Sequence, residues 1–444
     1  MSSTLQDFAS RAASNLESSD PVLGRLLLKE LDRQSRSLTM VASCSITHPS
    51  VLACEGLFTS NVTAEGYPGA RFHAGCEYVD QFERLAIDRA KSVFNAQYAN
   101  VQPHTASTAN QIVTSAVLKP GDTLLGMSLT SGGHLSHGAK VNISGKFYNA
   151  VGYGLDSRVF IDFKQVEELA LTHRPKLIIC GATAYPRAIE WQRFRDIADR
   201  VGAFLLADIT HIAGLVIAGL HESPIDIAHF TVTCTHKQLY GPRGGLILMG
   251  KEWDTPSPTG KGTLSSLIQA GVFPFTQGAP IINKIVAKAR ALHRAGTGEF
   301  KELMNRVVTL SRALAESLMK DGIEVVSGGT DNHIVLVNVR NSFGISGIIA
   351  EKALEECNII VNKNFIPGDQ SKVSVTSGIR IGTNALAARC FGAAEMGVCS
   401  ALIGKVLRAV KPRGDYEYEL PPQTRDEVRE DVGLLGLRFP IPGY

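Results

Sequence analysis

What this chain lacks narrows the field first. Its 8 cysteines (44, 54, 76, 180, 234, 357, 390, 399) lie scattered, with no CxxC pair. That argues against a disulfide scaffold or a metal site and predicts reduced thiols in a cytoplasmic protein. No apolar stretch approaches the ~20 residues of a membrane span, and MSSTLQDFASRAASNLESSDP lacks the basic start and apolar core of a secretory signal. Charge of one sign is missing too. The 45 Lys and Arg against 42 Asp and Glu leave +3, with no long single-sign block and so no footing for a nucleic acid or an anionic membrane. There is no GxGxxG, and Thr259-Gly260-Lys261-Gly262 lacks the other residues of a P-loop, so neither a dinucleotide nor an ATP site is expected. Internal repeats and low-complexity segments are absent.

What is present is an alternation of helices and strands. The 444 residues, 44% hydrophobic and 20% charged, have the make-up of a globular protein of two or three domains. Val79, Phe82, Ala86, Ala90 and Val93 sit near helical spacing and predict a helix over 79–94. A short strand (98–103), a helix (107–118) and a strand (122–127) follow. Apolar strands at 175–183 and 203–210 flank a helix at 191–201, and strands at 229–235 and 244–249 complete the set. Such alternation predicts an α/β fold with a largely parallel sheet covered on both faces. The pattern changes near residue 285. Residues 282–322 read as two long helices and 323–339 as two short strands around a Gly-rich turn. The expected domains are a helical arm at 1–50, a large domain at 51–288 and a smaller α+β domain at 289–444. The arm is too poor in apolar residues to fold alone and is expected to pack on another subunit.

Parallel α/β sheets hold ligands at the carboxyl ends of their strands, which makes strand ends the places to search. TVTCTHKQLYGPRGG ends a β-branched run on Lys237, followed by a glycine-rich turn. The residue is either a surface lysine or a Schiff-base nucleophile at a pocket rim. NVQPHTASTAN offers Thr105, Ala106, Ser107 and Thr108 at a helix start, either a plain N-cap or a phosphate cradle. Asp208 in ADITHIAG follows an apolar strand and is either a helix N-cap or the partner of a cation such as a protonated pyridine nitrogen. His134 in SGGHLSHG is a loop histidine or a ring lying over a planar cofactor. Arg380 in TSGIRIGTN is a surface arginine or a carboxylate clamp. A phosphate cradle, a strand-end Asp, a strand-end Lys and a carboxylate-binding Arg, in that order along the chain, are what a pyridoxal-phosphate enzyme acting on an amino acid requires.

From about residue 38 onward the chain closely resembles the serine hydroxymethyltransferase family of fold-type I pyridoxal-phosphate enzymes, which share the aspartate-aminotransferase-like fold. The likeness rests on TAEGYPGARFHAGCEYVDQFERLAIDRAK, ANVQPHTASTAN, LKPGDTLLGM, GGHLSHG, SGKFYN, RPKLIICGATAY, HIAGLVIAGLH, THKQLYGPRGGLIL and VTSGIRIGT. It implies a seven-stranded, mainly parallel sheet domain with a smaller C-terminal domain, and a homodimer, or a tetramer made of two such dimers, with composite active sites. Lys237 would carry the cofactor, Asp208 hold its ring nitrogen and His134 stack on the ring. Thr105, Ala106, Ser107, Thr183, His211 and His236 would line the cofactor, with Gly278 reaching in from the neighbouring subunit. Ser43 and Arg380 would bind the substrate carboxylate. Glu65 would act across the dimer as general acid/base, and Leu129, Gly133, Leu135 and Asn364 would take a reduced folate.

Several departures from the family fall at the substrate. Thr63 stands where a tyrosine usually precedes Ala-Glu-Gly, and the usual Arg-Tyr-Tyr-Gly-Gly reads Arg71-Phe72-His73-Ala74-Gly75. Ala-Ser-Glu-Asn becomes Ala42-Ser43-Cys44-Ser45, and Cys234 replaces a threonine before Thr235-His236-Lys237. With the cofactor set intact and Thr63 and His73 altered, the expectation is the same reaction on a bulkier donor, 2-methylserine giving D-alanine. Serine/glycine transfer and a folate-independent aldolase on β-hydroxy amino acids are the alternatives.

Overall fold

The computed structural model describes residues 2–443. Seven strands form the main sheet: β1 (Tyr98–Asn100), β2 (Thr123–Met127), β3 (Asn149–Tyr153), β4 (Leu177–Gly181), β5 (Phe204–Asp208), β6 (Phe230–Cys234) and β7 (Gly245–Met249). Their order across the sheet is β1-β7-β6-β5-β4-β2-β3. The pairs β2–β3, β2–β4, β4–β5 and β5–β6 are parallel, while β7 runs antiparallel to β6 and β1. This is the expected mainly parallel α/β sheet. Every residue of β4, β6 and β7 is buried, which is why these strands read as unbroken apolar runs such as LIICG.

The helices fall close to their predicted spans: Glu77–Phe94, Ala106–Val117, Trp191–Val201, Ile282–Ala295 and Gly298–Lys320. Their ends have local causes. Glu77–Phe94 stops at Asn95 (φ 53°) and Trp191–Val201 at Gly202 (φ 70°), both left-handed caps. One residue breaks the stripe expected of Glu77–Phe94: Glu83, not only its apolar neighbours, is buried.

A three-stranded antiparallel sheet follows, with β8 (Ile334–Asn338), β9 (Asn362–Asn364) and β10 (Gly378–Gly382) in the order β8-β10-β9. Only one of the two strands expected in 323–339 forms. Val325 meets Val337 in an isolated bridge, and Val326–Gly328 then turns with Ser327 at φ 61°, a conformation that cannot extend a ladder. The expected boundary at 288/289 falls inside helix Ile282–Ala295, which packs on Glu77–Phe94.

The N-terminal helices Ser2–Ser19 and Pro21–Ser35 leave Val22, Leu26, Leu27 and Leu28 more than half exposed. Beyond them the chain enters the C-terminal part of the molecule, where Leu38–Thr39 pairs in parallel with Ile359–Ile360. Among the described residues no helix is long and apolar enough to cross a membrane.

Candidate functional site

The carboxyl ends of β5 and β6 place two ionisable groups side by side. Lys237 lies in the turn after β6, its Nζ 2.8 Å from His211 Nε2. Backbone bonds close that turn: Gly241 N donates to Thr235 O (2.8 Å), and Thr235 Oγ1 donates to Pro242 O (2.6 Å). Burial lowers the pKa of Lys237 and drives that of His211 well below its usual range, with the lysine's field adding to the effect on His211. No carboxylate bonds to Lys237 among the described residues, so this half-buried amine has no ion-pair partner of its own.

Asp208, at the end of β5, is gripped from three sides. Asn110 Nδ2 (2.7 Å) and His137 Nε2 (3.0 Å) reach Oδ2, and Thr210 N (2.9 Å) reaches Oδ1. Burial works to raise its pKa. The hydrogen bond and field of His137, then the field of His134 and the Thr210 bond, outweigh burial and hold the carboxylate well below its usual range. His137 Nδ1 accepts from His134 N (3.3 Å), which leaves its Nε2–H free to donate to the carboxylate. His134 itself accepts from Ser136 N (3.2 Å), and burial lowers its pKa to about 4.

Helix Ala106–Val117 starts beside this cluster. Thr105 caps it by accepting from Thr108 N (3.0 Å), and the first-turn amides of Ala106 and Ser107 have no acceptor within the helix. Ser107 is exposed and, with Thr108, Ser136 and Asn142, lines a cavity of about 100 Å³.

Arg380, on β10, closes the opposite side. Its Nη1 donates to Thr183 O (2.6 Å) and its Nε to Asn362 Oδ1 (3.1 Å). Burial lowers its pKa to about 10, which still leaves a cation at neutral pH. Thr183 Oγ1 reaches back to Gly132 O (3.2 Å) and Gly133 O (3.3 Å). Ser43 follows Ala42, whose carbonyl accepts from His333 Nε2 (3.1 Å) and Asn384 Nδ2 (3.1 Å). The His333 ring stacks on His211 at 5.7 Å and 13°, so the Ser43 loop and Lys237 are joined through two buried rings. Leu129, Gly133, Leu135 and Asn364 line one open cavity of about 400 Å³ with Thr183 and Phe365. His236 Nε2 faces Arg243 (3.2 Å), and burial lowers its pKa to about 3.

Among the described residues no hydrogen bond joins Glu65, Thr63, His73 or Gly278 to this group. Glu65 precedes the hairpin Gly66–Tyr67/Ala70–Arg71. Among the described residues no hydrogen bond or ion pair reaches its carboxylate, and a Cβ built on Gly278 would stand 3.4 Å from its Oε1. Thr63, Phe72, His73 and Gly278 are exposed. Behind the hairpin, Arg71 donates to Gly66 O (2.7 Å), Asp80 (2.8 Å) and Glu83 (2.5 Å), and Gln102 Nε2 bonds Glu83 (2.8 Å) and Gly66 O (3.0 Å).

Three residues of the cluster, His137, Asn110 and His333, escaped the reading of the sequence. His137 had a visible signal, as the second histidine of His134-Leu135-Ser136-His137. Asn110 and His333 had none beyond lying in otherwise small-residue or apolar surroundings.

Comparison with known proteins bears on this geometry. The family model described as serine hydroxymethyltransferase matches residues 16–403. The chain is 45% identical over 440 residues to "Serine hydroxymethyltransferase 2" of Ralstonia nicotianae, covering 99% of this chain and 100% of that protein.

Proposed function

The chain belongs to the serine hydroxymethyltransferase family, whose members use pyridoxal phosphate with tetrahydrofolate, and we propose that its preferred donor is 2-methylserine, cleaved to D-alanine. It is a pyridoxal-phosphate-dependent hydroxymethyltransferase with serine hydroxymethyltransferase activity, so serine is the slower substrate in this reading.

The residues present suit the cofactor. A half-buried lysine without an acidic partner is an amine placed to bond covalently, and a buried carboxylate held ionised is placed to keep a proton on a ring nitrogen. Free first-turn amides beside Ser107 suit a phosphate. In this reading Lys237 attaches the cofactor, Asp208 holds the ring nitrogen, His137 and Asn110 keep Asp208 in place, and His134 covers the ring. Thr105, Ala106, Ser107, Thr183, His211 and His236 line it. Arg380 and Ser43 hold the substrate carboxylate, and the cavity between Leu129, Gly133, Leu135 and Asn364 takes the folate. Pyridoxal phosphate, when bound, accepts the electron pair released as Cα–Cβ breaks.

Glu65 serves the partner subunit in a homodimer with composite sites. The support is that Glu65 and Gly278, the two residues assigned across the dimer, adjoin each other, and that among the described residues no hydrogen bond or ion pair engages the Glu65 carboxylate. There Glu65 takes the hydroxyl proton as formaldehyde leaves toward tetrahydrofolate. For 2-methyl-L-serine no Cα–H is needed. A proton returns to Cα on the vacated face, the methyl stays in place, and the product is D-alanine.

The observation that carries the substrate is Thr63. In this reading a threonine in place of an aromatic ring, with Phe72 and His73 altered as well, leaves room beside Cα; all three are exposed within the chain. A methyl group in a fitted pocket is worth about 1–3 kcal/mol, enough to set a preference without excluding serine. Initial rates of cleavage of 2-methyl-L-serine, L-serine and L-threonine, with and without tetrahydrofolate, test it. The methylated donor should be cleaved fastest and be stimulated by folate, and Thr63→Tyr should restore serine. Faster cleavage of serine, or L-alanine as product, ends this reading.

A further inference from the structure

Lys288 lies on the buried face of helix Ile282–Ala295 and is 2% exposed. Among the described residues no carboxylate bonds to it. Its Nζ donates instead to three main-chain carbonyls: Val101 at 2.6 Å, Gly245 at 2.9 Å and Pro103 at 3.0 Å. Three acceptors call for three N–H groups, which only the ammonium supplies. Burial pushes its pKa down to about 7, with Glu83 opposing and Lys284 adding to the shift.

The three carbonyls come from two segments remote in sequence. Val101 and Pro103 belong to the run from β1 into Thr105, Ala106 and Ser107, while Gly245 opens β7 just past the turn that carries Lys237. Other bonds join the same two segments. Gly245 N donates to Pro103 O (2.9 Å), and Gln277 braces the run by accepting from His104 N (3.0 Å) and donating to Gln102 O (3.2 Å). Gly244 makes room for the lysine stem, since a Cβ there would stand 2.2 Å from Cε and 2.9 Å from Nζ. A methionine would fill the same volume without the cost of a buried charge, so packing does not account for a lysine here.

We propose that Lys288 is a positioning residue of the cofactor site, whose ammonium holds the turn Thr105–Ser107 in register with the turn that carries Lys237. The inference rests on the cofactor roles assigned above. One of those turns holds the cofactor's phosphate and the other bonds its aldehyde carbon, so their separation must match the length of one rigid molecule. Without the tie, binding must itself order the two segments, and affinity falls by that cost.

The test is cofactor affinity in apoenzyme titrated with pyridoxal phosphate, followed by intrinsic fluorescence. Lys288→Met should keep the far-ultraviolet circular dichroism of the native protein and still link the cofactor at Lys237 under borohydride. Its dissociation constant should rise about tenfold or more, the scale of one lost charge-assisted hydrogen bond. Amide exchange at Ala106, Ser107 and Gly245 should quicken. In Lys288→Ala, added propylammonium should recover affinity where propanol does not. A native dissociation constant in folded Lys288→Met overturns the proposal, as does failure of the amine to rescue Lys288→Ala. If neither variant folds, Gly244→Ala decides, because it displaces the ammonium without removing it: a raised dissociation constant supports the tie and a native one refutes it. Label on a lysine other than Lys237 overturns the underlying cofactor reading.

Discussion

Arg71→Met should destabilise the protein far more than the position of Arg71, on a short surface hairpin, implies. Its side chain is only 4% exposed, and that of its partner Glu83 only 1%. Burial works to raise the pKa of Glu83, and the bonds from Arg71 and Gln102 oppose it. Removing the guanidinium leaves that carboxylate with Gln102 alone. Stranding one member of a buried pair costs about 3–5 kcal/mol. The Asp80 arm adds little, because Asp80 keeps Gly69 N (2.6 Å) and is more exposed, so its share is at most about 1 kcal/mol. Arg71→Met combined with Glu83→Gln removes the stranded charge, and the pair should show a coupling energy of about 2 kcal/mol or more. Urea denaturation of the holoenzyme at fixed protomer concentration measures both. Turnover should fall along with stability, because Arg71 also holds Gly66 O directly after Glu65. A single-variant cost below about 1 kcal/mol, or a double variant costing the sum of the two singles, would refute the reasoning.

Borohydride reduction of the holoenzyme should fix the cofactor on the peptide Thr235-His236-Lys237, and Lys237→Ala should stay folded yet lose turnover; label elsewhere contradicts the assignment. Mixing inactive Glu65→Gln with inactive Lys237→Ala should restore activity, since one of the two sites of each heterodimer is then intact; no recovery after proven subunit exchange argues against a shared site. Acid should destabilise the fold from mildly acidic pH downward. His134 is lowered to about 4, and His236 and His333 to about 3, from an unfolded value of 6.5. Between those limits the unfolded chain binds more protons than the native one, so stability falls as pH drops from 6.5 toward 3. A denaturation midpoint unchanged between pH 7.5 and pH 5 would contradict this.

The central strands were legible because burial on both faces writes itself as continuous apolar residues, as in Leu177–Gly181. β3 (Asn149–Tyr153) was not, being an edge strand half open to solvent, with Asn149 and Gly152 diluting its pattern. Lys237, Asp208 and Arg380 could be picked out since each interrupts or ends an apolar run, and the structure brings Asp208 and Lys237 to one end of the sheet. His137 could not be ranked against His134. Which ring meets Asp208 is decided by the turn after β2, not by spacing along the chain. Glu83 and Lys288 carried a usable signal, a charge set among buried positions of its own helix, Val79 and Ala86 for one, Ile285, Ala289 and Leu292 for the other. An apolar stripe read from the period alone leaves such charges out.

The path of the chain after Pro21–Ser35 has a consequence for the order in which the site is built during synthesis. Arg389 clasps Ser35 O, Ser37 O and Gly436 O, and Asn384 reaches Ala42 O across 342 residues of sequence. The loop bearing Ser43 therefore leaves the ribosome early and waits. At about 5–20 residues per second, the wait for Asn384 is about 17–70 s. All seven strands of the main sheet, with Lys237 and Asp208, are made well before then. The residues that one chain is proposed to lend to the cofactor, Lys288 included, are thus made before the loop bearing Ser43 has the two side chains, Asn384 and Arg389, that fix it.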